Sequence, residues 1–368
     1  MAIRTESIEH KVAASAEPIA SIGFDWATVI LCAWFQFGVY LDGWAHVHFP
    51  LLETFVTPWH GVLYSGFLAL AVFTVGALVR NRARGAAWKR ALPAGYGFSL
   101  LGVVLFVAGA LADLVWHRTF GIESTAEALL SPTHLLLGLG GTLIWTGPLR
   151  AAWWRTESRS RSWVARLPMV LSLAFLLSAL TFFTQYSHPL ARPWAALGNR
   201  PTAAMFPLQA PDPPIRGGTI TSAVVGQSMG VAGILLQTGL LMGVVLLAVR
   251  RWGGSLPTGS LTIVFTVNAS LMGFMRDQMM LIPSAALAGI VGDLLLKRLD
   301  PSPASPGALR LFAFVVPAMY YLLYFLALML TRGIWWSVHL WTGSIALAGV
   351  VGWLLSYLVV PPGRATSP

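Results

Sequence analysis

An all-α, polytopic transmembrane bundle of about ten helices is the fold this sequence predicts, and three observations predict it. Of 368 residues, 56% are hydrophobic and only 10% are charged, against about 25% charged in ordinary soluble domains. Apolar runs of about 20 residues, the length that crosses a bilayer as helix, recur along the chain. Mean hydropathy is +0.69, and 36 Gly with 16 Trp suit helices that pack in lipid and carry aromatic belts at its interfaces. A soluble enzyme is excluded. The single cysteine, Cys32, excludes an internal disulfide, a thiolate cluster and CxxC chemistry. Any metal must be held by His and carboxylates.

The elements follow in order. Residues 1–20 carry Arg4, Glu6, Glu9, Lys11 and Glu17 without an apolar stretch, so they read as a cytoplasmic tail and not as a cleavable signal. The first helix, about 24–45, ends in Asp42-Gly43-Trp44-Ala45-His46. The second, about 60–80, opens with Thr57-Pro58-Trp59-His60. The third, about 94–116, ends in Asp113-Leu114-Val115-Trp116-His117, and the fourth, about 134–152, opens with Ser131-Pro132-Thr133-His134. The fifth, about 166–187, runs to His188. A Pro-rich outer loop, 188–218, follows and reads as a lid, a partner contact or a linker. The remaining helices fall at about 221–249, 257–279, 283–298, 309–331 and 335–360, the eighth being short, before a tail at 362–368. The domain reading is a metal-site segment, 21–156, and further hairpins, 157–361.

The net charge of +10 is topological. Counted by loop, 18 of the 24 Lys and Arg residues fall in the tails and the loops after even-numbered helices. The positive-inside rule then puts both termini in the cytoplasm of a bacterial-type inner membrane, and nucleic acid is not an expected partner. Seven of the eight His residues fall on the opposite, outer side: His46, His48, His60, His117, His134, His188 and His339. This asymmetry is the main functional signal.

The two N-terminal hairpins share a pattern: Asp-x3-His, a loop, then x-Pro-x-His, with equivalent Asp and first-His positions 71 residues apart. Weaker copies at Thr184 to His188, at Asp277 and at His339 suggest about five repeated hairpins. Residues four apart on a helix lie on one face, so Asp42 with His46, and Asp113 with His117, can reach one ion. His60 and His134 at the next helix starts supply a third ligand. A two-nitrogen, one-oxygen set with an open position is the catalytic kind, and it suits Cu(II), Fe(II) or Zn. His48, His188 and His339 are possible additional ligands. An isolated Asp or His at a helix end is most often a cap or an interface residue, and it is the correlated set of six that favours metal. Glu53, Glu123 and Glu127 read as solvated loop residues, Asp277 beside Arg276 as an ion pair, and Asp25 and Asp293 as structural.

At these residues the chain resembles the C subunit of the copper membrane monooxygenases, the particulate methane and ammonia monooxygenase family. The likeness covers about residues 24–150, with Asp113 standing where the family has Asn. It implies copper at Asp42, His46 and His60, a neighbouring copper site at Asp113, His117 and His134, O2 with a small apolar substrate, and other membrane subunits. Competing readings are a metal or small-solute transporter, a haem protein with His60 and His134 as axial ligands, and a non-catalytic subunit of a membrane complex. No catalytic base is evident. Membrane lipid is a partner in every case.

Overall fold

The computed structural model describes residues 18–49, 57–121, 126–155, 162–201 and 222–361. They are helical, with no strand among the described residues. The helices are α1 Ile22–His48, α2 Pro58–Ala83, α3 Gly97–Phe120, α4 Pro132–Trp145, α5 Gly147–Trp154, α6 Trp163–Phe183, α7 Ser222–Trp252, α8 Ser260–Met275, α9 Ile282–Leu299, α10 Pro306–Thr331 and α11 Val338–Val359. Among the described residues eight helical segments are long and apolar enough to cross a membrane. The chain is therefore read as a membrane protein.

Every expected segment contains helix, but two fall short of a span. The fourth does not run unbroken from 134 to 152: α4 stops at Trp145, Thr146 leaves helical geometry (φ −87, ψ 7), and α5 restarts with Pro148 in its first turn. Proline has no N–H for the carbonyl four residues back and its ring crowds that carbonyl, so Pro148 breaks the ladder at Ile144 and divides the segment. The seventh, α8, has only 16 residues. The short eighth segment, by contrast, extends over Met279–Leu299 and reaches span length.

The chain divides into two compact units: Met1–Gly38 with Phe55–Ile122 and Ser131–Ser172, and Val39–Thr54 with Glu123–Leu130 and Leu173–Pro368. In the first unit, α3 and α4 touch backbone to backbone. A Cβ on Gly102 would sit 2.6 Å from the Gly140 carbonyl oxygen, and one on Gly140 2.8 Å from the Phe106 amide nitrogen. Such close approach through small residues is how helices gain packing energy in lipid, where apolar burial gives no net drive. Phe35, Phe67, Phe106 and Trp145 fill the centre, with ring centroids 4.4 to 5.7 Å apart. Leu68, Val72, Leu111 and Val115 are each more than 60% exposed, as befits a lipid-facing surface. At the other end of the unit Asp25 accepts a 2.6 Å hydrogen bond from the Tyr96 hydroxyl and pairs with Arg155, which bears out its structural reading.

In the second unit α8 packs on α9 and α10 on α11, again through glycines: a Cβ on Gly289 would meet Thr262 Cα at 2.5 Å, and one on Gly352 the Ala313 carbonyl at 2.0 Å. Asp293, also read as structural, caps α8 by accepting from the Leu261 and Thr262 amides at 3.0 and 2.9 Å. The first part of the Pro-rich segment is held in place. The Tyr324 hydroxyl donates to Pro189 O (3.1 Å), Trp335 Nε1 to Trp194 O (2.6 Å) and Leu197 N to Gly333 O (3.1 Å). Its remainder, 202–218, lies outside the described residues.

Candidate metal centre

The second Asp-x3-His unit and the helix start that follows it lie within one compact unit. Asp113 sits on α3, one turn before His117, and His134 in the first turn of α4. Among the described residues these three form a group whose ligand atoms all lie within 4.8 Å of one another. The Asp113 carboxylate stands between the two imidazoles: Oδ2 is 3.1 Å from His117 Nε2 and Oδ1 is 3.4 Å from His134 Nδ1. Two ligands on an ion with tetrahedral bonds of about 2.0–2.1 Å are about 3.3 Å apart, so both separations are the right size.

Local sequence explains the placement. In Ser131-Pro132-Thr133-His134, Ser131 is the N-cap of α4 and Pro132 occupies the first turn, the position where a missing N–H costs nothing. The Ser131 hydroxyl accepts from the His134 amide (3.4 Å) and lies 2.7 Å from its ring Nδ1, so one capping side chain fixes both the helix start and the imidazole. Thr133, between them, donates its hydroxyl to Asp113 Oδ1 at 2.7 Å. His117 Nδ1 lies 3.3 Å from the Gly121 carbonyl. The contacts on Asp113 and on the far ring nitrogen of His117 are of the kind by which proteins orient metal-binding carboxylates and imidazoles, while the Ser131 contact is on the His134 nitrogen that faces Asp113.

Burial sharpens the case. Asp113 is only 4% exposed, and a buried carboxylate is costly unless paired and hydrogen-bonded. Here its neighbours are one hydroxyl donor and two imidazoles, which is a ligand set as much as a packing solution.

The first unit shares the local chemistry. Asp42 and His46 face one another along α1, with His46 Nε2 3.7 Å from Asp42 Oδ2 and half the His46 side chain exposed. His60 belongs to the other compact unit, where Thr57 caps α2 as Ser131 caps α4: its hydroxyl accepts from the His60 amide (3.2 Å) and lies 2.9 Å from ring Nδ1. Trp59 stands where the second unit has Thr133.

The additional histidines have other surroundings. Both ring nitrogens of His48 are engaged, Nδ1 with Trp44 O (2.8 Å) and Nε2 with Asp277 Oδ2 (2.6 Å). This corrects the expected pairing of Asp277 with Arg276. Asp277 takes a positive φ of 54, which turns its side chain to His48, while Arg276 donates to Gln185 Oε1. His188 is buried with Nδ1 accepting from the Leu190 amide at 3.0 Å, and burial pushes its pKa down to about 3. His339 is exposed in the first turn of α11, and Glu127 is exposed in a short turn of helix. Glu53 and Glu123 lie outside the described residues.

Thr133, Ser131 and Thr57 hydrogen-bond the candidate ligands, and ligand spacing alone did not single them out. The available signal was a hydroxyl N-cap three residues before a histidine, a variant of the capping box. Comparison with protein-family models, with curated proteins and with solved structures gives no match to this chain.

Proposed function

We propose that the chain is an integral membrane metalloprotein in which Asp113, His117 and His134 hold one ion and Asp42, His46 and His60 a second. Copper is the expected metal, with iron and zinc as alternatives, and the function is that of a monooxygenase-like oxidoreductase. The observation that carries the reading is the buried Asp113 carboxylate set between two imidazoles at ligand spacing, that of His117 oriented through its other ring nitrogen. Nitrogen-rich sets with one carboxylate favour Cu(II), Fe(II) or Zn over the all-oxygen environment of Mg or Ca. The ligands stand near helix ends, and the exposed Leu111 and Val115 of α3 flank Asp113 in sequence. Both termini are assigned to the cytoplasm and the His-bearing helix ends to the outer face, from the distribution of Lys and Arg.

A bound copper or iron would supply O2 activation. Putting one oxygen atom into a substrate bond while reducing the other to water takes two electrons and two protons, so an external two-electron donor is part of the reading. The likeness to the copper membrane monooxygenase C subunit over residues 24–150 supports it. Elemental analysis of the purified full chain tests metal binding: His134→Ala and His60→Ala each lower bound metal by about one equivalent, and unchanged content in both rejects it. Oxygen uptake by the metal-loaded protein with reductant and a short hydrocarbon tests the oxidoreductase assignment. Its absence rejects that assignment alone.

A further inference from the structure

Within the second unit, side chains of α6, α7, α8 and α10 and the turn at His188 enclose a cavity that the metal reading does not use. Its wall is apolar at Leu177, Leu190 and Leu241 and polar at Gln237, Asn268 and His188. No Asp, Glu, Lys or Arg lines it.

The polar groups are arranged specifically. Gln237 is 4% exposed, and its Nε2 is committed to Thr184, donating to Oγ1 at 2.9 Å and to the carbonyl at 3.3 Å. That fixes the amide and leaves Oε1 buried, accepting no hydrogen bond from a described residue. Buried acceptors of this kind nearly always have a partner, because one left unmet loses its hydration with nothing in return. His188 accepts from the Leu190 amide through Nδ1, so the neutral ring carries its proton on Nε2 and is a donor there. Asn268 gives its Oδ1 to the Thr181 hydroxyl at 2.7 Å, which leaves its Nδ2 as a second donor.

We propose that this cavity binds a small, uncharged molecule that both donates and accepts hydrogen bonds, in the class of water, ammonia and methanol. The occupant donates to Gln237 Oε1 and accepts from His188. A metal cation finds no carboxylate in the wall and an anion no basic side chain. An apolar gas leaves the Gln237 oxygen unmet. The cavity has polar groups in its wall as well as Leu177, Leu190 and Leu241, which suits a molecule with both a polar and a small apolar end as well as water itself. The proposal is independent of the metal centre.

A structure of the full chain in lipid, at a resolution that shows ordered water, tests it with and without methanol as the probe. The expected result is density within about 2.7–3.2 Å of both Gln237 Oε1 and His188 Nε2, lengthened by one atom after methanol is added. A cavity without density, or Gln237 Oε1 bonded directly to another side chain, overturns the proposal. The wild-type map decides this alone. Gln237→Met, which keeps the length of the side chain and removes the acceptor, loses the density; density retained in that variant also overturns the assignment.

Discussion

Replacing Thr133 by valine removes one hydroxyl and almost no volume, which makes it a clean probe of how the second site is built. In the folded chain that hydroxyl donates to Asp113 Oδ1 at 2.7 Å, and Asp113 is 4% exposed. A hydrogen bond to a buried charged group is worth about 1.5–3 kcal/mol. Supporting contacts of this type hold about 10- to 100-fold in metal affinity, which converts to about 1.4–2.7 kcal/mol at 1.36 kcal/mol per decade. The two routes agree, so Thr133→Val is expected to weaken metal binding by about 10- to 100-fold. It is also expected to lower the melting temperature of the metal-free protein, whose buried carboxylate loses its donor. Competition with a chromophoric chelator measures the first and a thermal melt the second. Thr133→Ser, which keeps the hydroxyl, remains within a few-fold of the parent. Equal affinities for the valine variant and the parent would show that Asp113 is oriented by something else, or is not a ligand.

Other outcomes follow from the same geometry. Ser131→Ala removes both the α4 cap and the contact with the His134 ring; it costs about 1 kcal/mol of stability and lowers metal affinity, whereas loss of stability with affinity intact makes Ser131 a cap only. Gly352→Ala places a Cβ 2.0 Å from the Ala313 carbonyl oxygen, so α10 and α11 must separate, at about 1–3 kcal/mol, read as an earlier denaturation midpoint in detergent; an unchanged midpoint contradicts that packing. His188, held near pKa 3 when folded, takes up a proton near pH 6.5 once unfolded. The unfolded state then binds more protons below pH 6.5, so this stability is complete above that pH and is lost as pH falls toward about 3. The slope is about 1.4 kcal/mol per unit, or about 2 kcal/mol by pH 5. His188→Gln should flatten the slope between pH 6.5 and 5, and an unaltered slope refutes the buried, neutral histidine.

What could be read in advance tracks the physics of each signal. Hydropathy is additive over about 20 residues, so helix was legible in every segment, including α9. The Gly147-Pro148 break was legible only in principle, because the apolar run continues through it and hides a single missing N–H. Asp113, His117 and His134 were legible because spacing by four on one helix brings side chains together without tertiary information, and a capped helix start fixes a third. Thr133 was not, since a hydroxyl between a proline and a histidine looks like any other first-turn residue until its partner on α3 is placed. The pairing of Asp277 with His48 was hidden for a different reason. It depends on a left-handed backbone at Asp277 and on a partner 229 residues away, while Arg276, adjacent in sequence, invites the wrong assignment. The burial of His188 likewise follows from the turn that Tyr324 fastens at Pro189.

X-ray anomalous scattering from the purified protein, collected on both sides of the copper absorption edge, addresses the metal site most directly. The expected result is a peak that appears above the edge within about 2.0–2.2 Å of an Asp113 carboxylate oxygen and of one ring nitrogen each of His117 and His134. A well-ordered map of metal-supplemented protein with those three side chains bonded only to one another, and no peak at that edge or at those of iron and zinc, would contradict it.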